Sequence, residues 1–299
     1  ENELIFTTGP ATGTIVPNKG YIVCYKSPLT NIYGDSNSGG FFGAELKHTG
    51  YDVLIVMGRS EKPVYLWIDD DEVQIKDAKS LWGKGTFETD AMVKEELGDE
   101  SVKVARIGPA GEKLVRIAGI FNDYSRSAAR GGPGAVMGSK NLKAIAVRGT
   151  KNIEVAKIDE LLEFVKELHD ERYAKLPVYK QYGTPVLVDV VNETGALPTR
   201  YWHKGEFSEY EKINAETMKA KLVVADRACY SCVTPCGKIS VIQKGGTVLE
   251  GPEYETLVSF GSLCENSDLE SIAKANELCD KLGMDTMDAG NLIAFAMDC

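Results

Sequence analysis

Near the end of the chain, RACYSCVTPCGKIS (227–240) sets Cys229, Cys232 and Cys236 in a C-x2-C-x3-C array. Thiolates at that spacing can turn their sulfurs toward one centre, and Pro235 and Gly237 help the chain bend around it. A structural zinc draws on two C-x2-C pairs or on histidine, whereas three local cysteines plus a remote one are common for a [4Fe–4S] cluster. No second C-x2-C exists here, and His48, His169 and His203 stand apart. The spacing favours a cluster over zinc and over a metal-free turn, and leaves a fourth ligand to be found. The remaining cysteines, Cys24, Cys264, Cys279 and Cys299, read as small apolar side chains rather than ligands.

Just beyond the array, LEGPEYETLVSF brings Glu250, Glu253 and Glu255 close together. Carboxylates so placed commonly form a solvated face, but one turned into a pocket can serve as a general acid or base. The residues alone do not choose among them. Two glycine-rich turns, GDSNSGGFFGAELK and ARGGPGAVMGSKNLK, each read as the start of a helix, where free backbone N–H groups favour an anion. Arg130 directly precedes the second, and its forked donors match a phosphate's oxygens. Neither turn is G-x-G-x-x-G or G-x-x-x-x-G-K-[ST], so a nucleotide fingerprint is absent. A phosphate-bearing ligand and a plain helix start both stay open.

The elements that must position these groups come in two textures. In the first half, YDVLIVMG (51–58), VYLWIDD (64–70), VKVARIG (102–108) and KAIAVRG (143–149) read as strands, with helical character at 41–47 and 134–142. The half also echoes itself. FTTGPATGT (6–14) matches ARIGPAGEK (105–113), and GGFFGAELKHTGYDVLIVMG (39–58) matches RGGPGAVMGSKNLKAIAVRG (130–149), in the same order. Either glycine-rich turn, helix and strand recur by chance, or two similar half-domains each present a glycine-rich helix start. After about Thr150 helical periodicity takes over, in 158–176 and in two helices joined around Gly283 within 269–298. The expected class is α+β, with a β-rich domain at 1–150 and part of a mostly helical domain at 151–299.

At 299 residues the chain fits one large or two medium domains. A net charge of −10 without a long basic block argues against nucleic acid as a partner. Seven cysteines, three of them bunched, do not read as a secreted disulfide framework. No segment approaches the ~20 apolar residues of a membrane span, and the first residues, ENELIFTTGP, do not read as a basic-then-apolar signal. The expectation is a cytoplasmic protein with no membrane partner.

Together, SPLTNIYGDSNSGGFFGAELKHTGYD, ARGGPGAVMGSKNLKAIAVRG, CYSCVTPCG and EGPEYE resemble, in order and spacing, the aldehyde ferredoxin oxidoreductase family of tungsten enzymes. The resemblance runs from residue 1 to 299. It implies oxidation of an aldehyde to a carboxylic acid at a tungsten ion held by two pterins, with a [4Fe–4S] cluster passing electrons to ferredoxin. Molybdenum is the alternative metal, Mg2+ would bridge the pterin phosphates, and a homo-oligomer or a complex with other redox subunits is the expected assembly. The two half-domains would sandwich the pterins, Asn37, Gly39 and Gly40 facing one and Arg130, Gly131, Gly132, Gly134 and Ala135 the other. The family's D-x-x-G-L-D stretch, which meets a pterin, appears as DKLGMD, carrying Asp280, Gly283 and Asp285 with Met284 in place of leucine. Cys229, Cys232 and Cys236 become the local cluster ligands, and Glu255 the active-site glutamate. The family's arginine before KSPLT is not kept: Gly20 stands there, with Lys19 beside it.

The family's chains extend beyond both ends of this one, so the fourth cluster cysteine, in a D-x-x-G-L-C stretch, is expected past Cys299. Cys264 and Cys279 sit in apolar patterns and Cys299 ends a helix, which argues against each as that ligand. On this reading the catalytic assignment belongs to the parent protein, and the chain alone is inactive. The alternatives are the tungsten subunit of an aromatic acyl-CoA reductase, a non-catalytic cofactor-binding fragment, and a zinc-ribbon interaction domain.

Overall fold

A computed structural model describes residues 2–18 and 20–299, with backbone alone at 172–175; Lys19 lies outside the described residues. The chain divides into two compact units, one of Glu1–Glu167, Cys229–Cys232 and Asp280–Asp285, the other of Leu168–Ala228, Val233–Cys279 and Thr286–Cys299.

The first unit opens with strands β1 (Leu4–Thr8), β2 (Tyr21–Lys26) and β3 (Tyr33–Ser38), helix α1 (Phe42–His48) and strand β4 (Val53–Val56). They form a sheet of order β3-β2-β1-β4. In β2, Tyr21, Val23 and Tyr25 are buried while Ile22, Cys24 and Lys26 face outward, the alternation of a strand covered on one face. There follow β5 (Val64–Asp69), β6 (Glu72–Asp77), α2 (Thr86–Leu97), β7 (Lys103–Arg106), α3 (Pro109–Glu112), β8 (Ile120–Asn122), β9 (Arg126–Ala128), α4 (Pro133–Ser139), β10 (Leu142–Arg148) and α5 (Ile158–Lys175). The second sheet has the order β6-β5-β10-β7-β8-β9. Its strand β10 carries the apolar run Ala144–Val147 because both faces are covered there, and its buried Lys143 is paired with Glu112. Leu142, Ile145 and Val147 join Leu4, Phe6 and Phe42 in one core, and Ala144 and Ala146 join Tyr65, Leu81 and Val93 in another.

Within this sheet β9-β8-β7-β10 repeats the order β3-β2-β1-β4, and every neighbouring pair is antiparallel in both. Each set places its helix, α1 or α4, just before its last strand. The echoed Gly-Pro pairs follow β1 and β7. Even the close approaches recur: a methyl group at Gly43 would fall 2.6 Å from the backbone of Gly20, just before β2, and one at Gly134 would fall 2.4 Å from that of Gly119, just before β8. Only glycine lets these helices sit so near the strand entries. The two half-domains read from the sequence are present strand for strand.

Two local expectations need correction. The helix expected over 134–142 runs from Pro133 to Ser139, and Leu142 opens β10, because Asn141 takes a left-handed conformation (φ 56°) that ends the turn. Helix α2 was not foreseen, since its buried face is made of Thr86, Thr89 and Val93 and its apolar period is blurred.

The second unit contains α6 (Pro177–Tyr182), α7 (Leu187–Glu193), α8 (Ala215–Lys221), a three-stranded antiparallel sheet of β11 (Val223–Arg227), β12 (Gly237–Ile242) and β13 (Thr247–Glu250), and α9 (Tyr254–Phe260). Helices α10 (Leu269–Leu282) and α11 (Thr286–Asp298) complete the chain, with the expected break at Gly283. The small sheet was not anticipated; the cysteine array forms the connection between β11 and β12. Among the described residues no helix is long and apolar enough to cross a membrane.

Candidate functional site

The first glycine-rich turn, at Gly39–Phe41, is held by the end of β8. Asn122 donates from Nδ2 to the Gly39 carbonyl at 2.9 Å, and the Phe41 N–H donates to Asp123 Oδ2 at 2.7 Å. The Asn122 oxygen accepts in turn from Ser38 Oγ at 2.6 Å and from the Tyr21 hydroxyl at 3.0 Å. Burial pushes the Tyr21 phenol well above its ordinary value, so it stays a donor. Gly40 has φ +87°, and a methyl group there would strike Asp123 Oδ2 at 2.1 Å. Asn37, at the end of β3, is exposed.

The second turn, Arg130–Gly132, is held the other way round, by β2 and the residue after it. The Tyr25 hydroxyl donates to the Arg130 carbonyl, and Ser27 Oγ donates to the Gly131 carbonyl at 2.7 Å. Gly131 and Gly132 both have positive φ, +82° and +85°. Burial raises the Tyr25 phenol, with Asp35 adding to the rise, which again keeps the hydroxyl a donor. Each half-domain therefore fixes the other's glycine turn. Gly134 and Ala135, one step further along, are buried in helix packing rather than displayed on the turn.

The DKLGMD segment is seated in the second half-domain. Thr86 Oγ1 donates to the Asp280 carbonyl at 2.7 Å, the Gly119 N–H to the Gly283 carbonyl at 3.0 Å, and the Asp285 N–H to the Ile117 carbonyl at 3.0 Å. Gly283 adopts φ +80° with its Cα against Gly108. Met284 packs on Ala110, Ala118 and Ala135, a volume that leucine would also fill. Asp285, 6% exposed in its side chain, accepts from Arg130 Nε at 2.8 Å, while the Arg130 side chain is 55% exposed. The arginine read as a phosphate ligand is thus oriented by a buried carboxylate.

The C-x2-C half of the array lies in the first unit. Cys232 N–H donates to the Cys229 carbonyl at 3.1 Å across a tight turn in which Ser231 is left-handed (φ 52°). Cys229 Sγ lies against the first glycine turn, only 2.7 Å from where a methyl group on Gly39 would stand. Cys236 belongs to the second unit, its N–H donating to the Thr234 carbonyl at 2.8 Å. None of the cysteines is in a disulfide. Burial pushes the Cys264 thiol up, and Cys279 is buried, as befits apolar positions. Among the described residues no three His, Cys, Asp or Glu side chains gather at single-ion distance. Cys229 and Cys232 present thiols one tight turn apart, a donor type that iron–sulfur clusters take, and the positive-φ glycines with Arg130 offer donor groups of the kind an anionic ligand takes.

The three glutamates separate. Glu250 is buried on β13, with Arg227 Nε 3.7 Å away. Glu253 precedes α9 and accepts from Thr184 Oγ1. Glu255, in the first turn of α9, is exposed, and its charge adds to the burial that raises the neighbouring Tyr254 phenol. Of the residues named from sequence, Gly39, Gly40 and Cys229 come together, as do Arg130 and Asp285. Glu255 and Cys236 lie in the other unit. The residues that sequence reasoning missed are the holders: Tyr25, Ser27, Asn122 and Asp123. A polar pair closing a short apolar run, as in IFND, was the one signal available for Asn122 and Asp123.

A doubled strand-helix unit with paired glycine turns, and a cysteine turn seated on one of them, defines an α+β fold built on an internal repeat. Residues 1–149 match the description "Aldehyde ferredoxin oxidoreductase, N-terminal domain", and residues 161–299 match "Aldehyde ferredoxin oxidoreductase, domains 2 & 3". The chain belongs to the aldehyde ferredoxin oxidoreductase family. It is 47% identical, over all of its own length and 50% of the relative's, to the tungsten-containing aldehyde ferredoxin oxidoreductase of Pyrococcus horikoshii. It is 32% identical over its whole length, again 50% of the relative's, to the WOR-like subunit of an aliphatic sulfonate oxidoreductase of Pyrococcus furiosus. Among solved structures, the active site complex BamBC of benzoyl coenzyme A reductase with 1,5-dienoyl-CoA matches 99% of the chain and 47% of its own, with TM-score 0.86 and 32% identity. The chain thus spans about half the length of the relatives it matches.

Proposed function

We propose that this chain is part of an oxidoreductase that converts aldehydes to carboxylic acids at a tungsten-bispterin centre and delivers the electrons through a [4Fe–4S] cluster to ferredoxin. The observation that carries this reading is the 47% identity, along the whole chain, to the Pyrococcus horikoshii enzyme. The net reaction adds a water oxygen to the aldehyde and releases two electrons and two protons. The metal centre, when bound, supplies Lewis acidity toward the carbonyl and an acceptor for those electrons. Residues 1–150 form the pterin-binding domain: Asn37, Gly39 and Gly40 would lie at one pterin, and Arg130, Gly131 and Gly132, backed by Gly134 and Ala135, at the other. Asp280, Gly283 and Asp285 support the second, with Asp285 aiming Arg130 at a phosphate that Mg2+ would share. Cys229, Cys232 and Cys236 supply the cluster's local thiolates. Glu255 accepts a proton or holds the water that adds to the carbonyl.

In the full-length protein, Glu255→Gln is expected to retain tungsten and iron while aldehyde oxidation falls about 100-fold, the scale of a lost general base. Metal analysis and ferredoxin reduction measure both, and unchanged turnover would remove Glu255 from the mechanism. The likeness to the BamBC complex favours a second reading, the tungsten subunit of an aromatic acyl-CoA reductase. Reduction of an aromatic acyl-CoA, without aldehyde-dependent ferredoxin reduction, would select it.

A further inference from the structure

Two side chains between the first two cysteines of the array are not ligands, yet both are tied to the first half-domain. The Tyr230 hydroxyl donates to the Gly13 carbonyl at 3.0 Å, and Ser231 Oγ donates to the Thr14 carbonyl at 2.9 Å. The Tyr230 N–H donates to the Gly40 carbonyl at 3.1 Å. Its ring meets Phe41 and His48 edge-on, each at 6.2 Å between centroids. The receiving loop is itself braced, since Thr12 Oγ1 accepts from the Gly9 N–H at 3.0 Å and donates to the Gly20 carbonyl at 3.2 Å, and Thr14 Oγ1 donates to the Ala11 carbonyl at 2.7 Å. Tyr230 and Ser231 therefore bind a short thiol-bearing turn to a rigid acceptor at the point where Cys229 Sγ meets Gly39.

We infer that Tyr230 and Ser231 are positioning residues for the iron–sulfur cluster, mooring the C-x2-C half of its ligand set to the first glycine turn. The inference rests on the cluster reading above. The two hydroxyl bonds are its specific part, because ring packing alone would tolerate rotation of the turn, whereas two donors on adjacent carbonyls fix it. The cluster's distance from the cofactor turn is then set by two residues that are not themselves thiol ligands.

The test uses full-length protein produced without oxygen and supplied with tungstate. Tyr230→Ala/Ser231→Ala is expected to keep tungsten while iron falls at least threefold relative to it. Tyr230→Phe/Ser231→Ala keeps the ring, and is expected to hold its iron but to give a dithionite-reduced electron paramagnetic resonance spectrum with shifted or broadened g values. That conservative variant decides the matter if the first does not fold. Wild-type iron-to-tungsten ratios and spectra in both variants would overturn the mooring. Absence of iron from the parent protein would instead overturn the cluster reading, and the inference with it.

Discussion

Arg106 shows how much of the site rests on a residue that touches no candidate ligand. It sits on β7 with 1% of its side chain exposed and Asp90 Oδ1 at 3.6 Å. Its Nε donates to the Thr86 carbonyl at 3.1 Å, and one terminal nitrogen donates to the carbonyls of Asp123 at 2.7 Å and Tyr124 at 3.1 Å. Burial lowers the pKa of this guanidinium and Asp90 opposes the fall, so the charge is kept by its partners. The fork ties the start of α2 to the turn that carries Asp123, and Asp123 holds the Phe41 N–H. Arg106→Met is expected to cost about 3–5 kcal/mol, since it removes the donors of the Thr86, Asp123 and Tyr124 carbonyls and leaves Asp90 with Lys94 as its remaining cation. Denaturant unfolding of the full-length protein measures it, and Arg106→Lys should recover only part, having the charge without the fork. A loss under 1 kcal/mol would show that water replaces the fork without penalty.

At the scale of elements, the repeat turns on where a helix can approach a strand. Both α1 and α4 rest a glycine on the backbone just before the second strand of their half-domain, so Gly43→Ala and Gly134→Ala are each expected to destabilise by about 1–3 kcal/mol through overpacking. Gly98, which closes α2 at φ +68° with nothing within 4 Å of where a methyl group would stand, is the control: Gly98→Ala is expected to cost only about 1 kcal/mol, from backbone conformation alone. Thermal unfolding of the three variants gives the order, and equal losses at all three sites would refute the packing account. The same elements show what can be read in advance. Strand β10 announces itself by the apolar run Ala144–Val147 because it is covered on both faces, while α2 is silent because threonines fill its buried face. Covered surface writes a pattern only when the covering is apolar.

At the scale of the whole molecule, the second unit leaves α11 with Leu292, Ile293, Phe295 and Met297 exposed. Apolar side chains clustered at one helix end favour association. Produced alone, this chain is expected to self-associate, and Leu292→Gln/Phe295→Ser to lower the apparent mass in light scattering; a monomeric parent chain would contradict this. The amino-acid sequence by itself determined the class of fold and the family, and it raised the doubling of the first half as one of two readings, which the matching strand orders then decided. Each is carried by types and order along the chain: β-branched runs, glycine turns in register, three cysteines at fixed spacing. Only the tertiary structure decided that each half-domain grips the other's glycine turn, that Arg130 is oriented by Asp285, and that Tyr230 and Ser231 bring Cys229 to Gly39. The physical reason is that, apart from the Arg130–Asp285 pair, these bonds join an ordinary polar side chain to a backbone N–H or carbonyl. Every residue carries a carbonyl, so nothing in the sequence marks which one will accept, and only the packing of distant segments settles it.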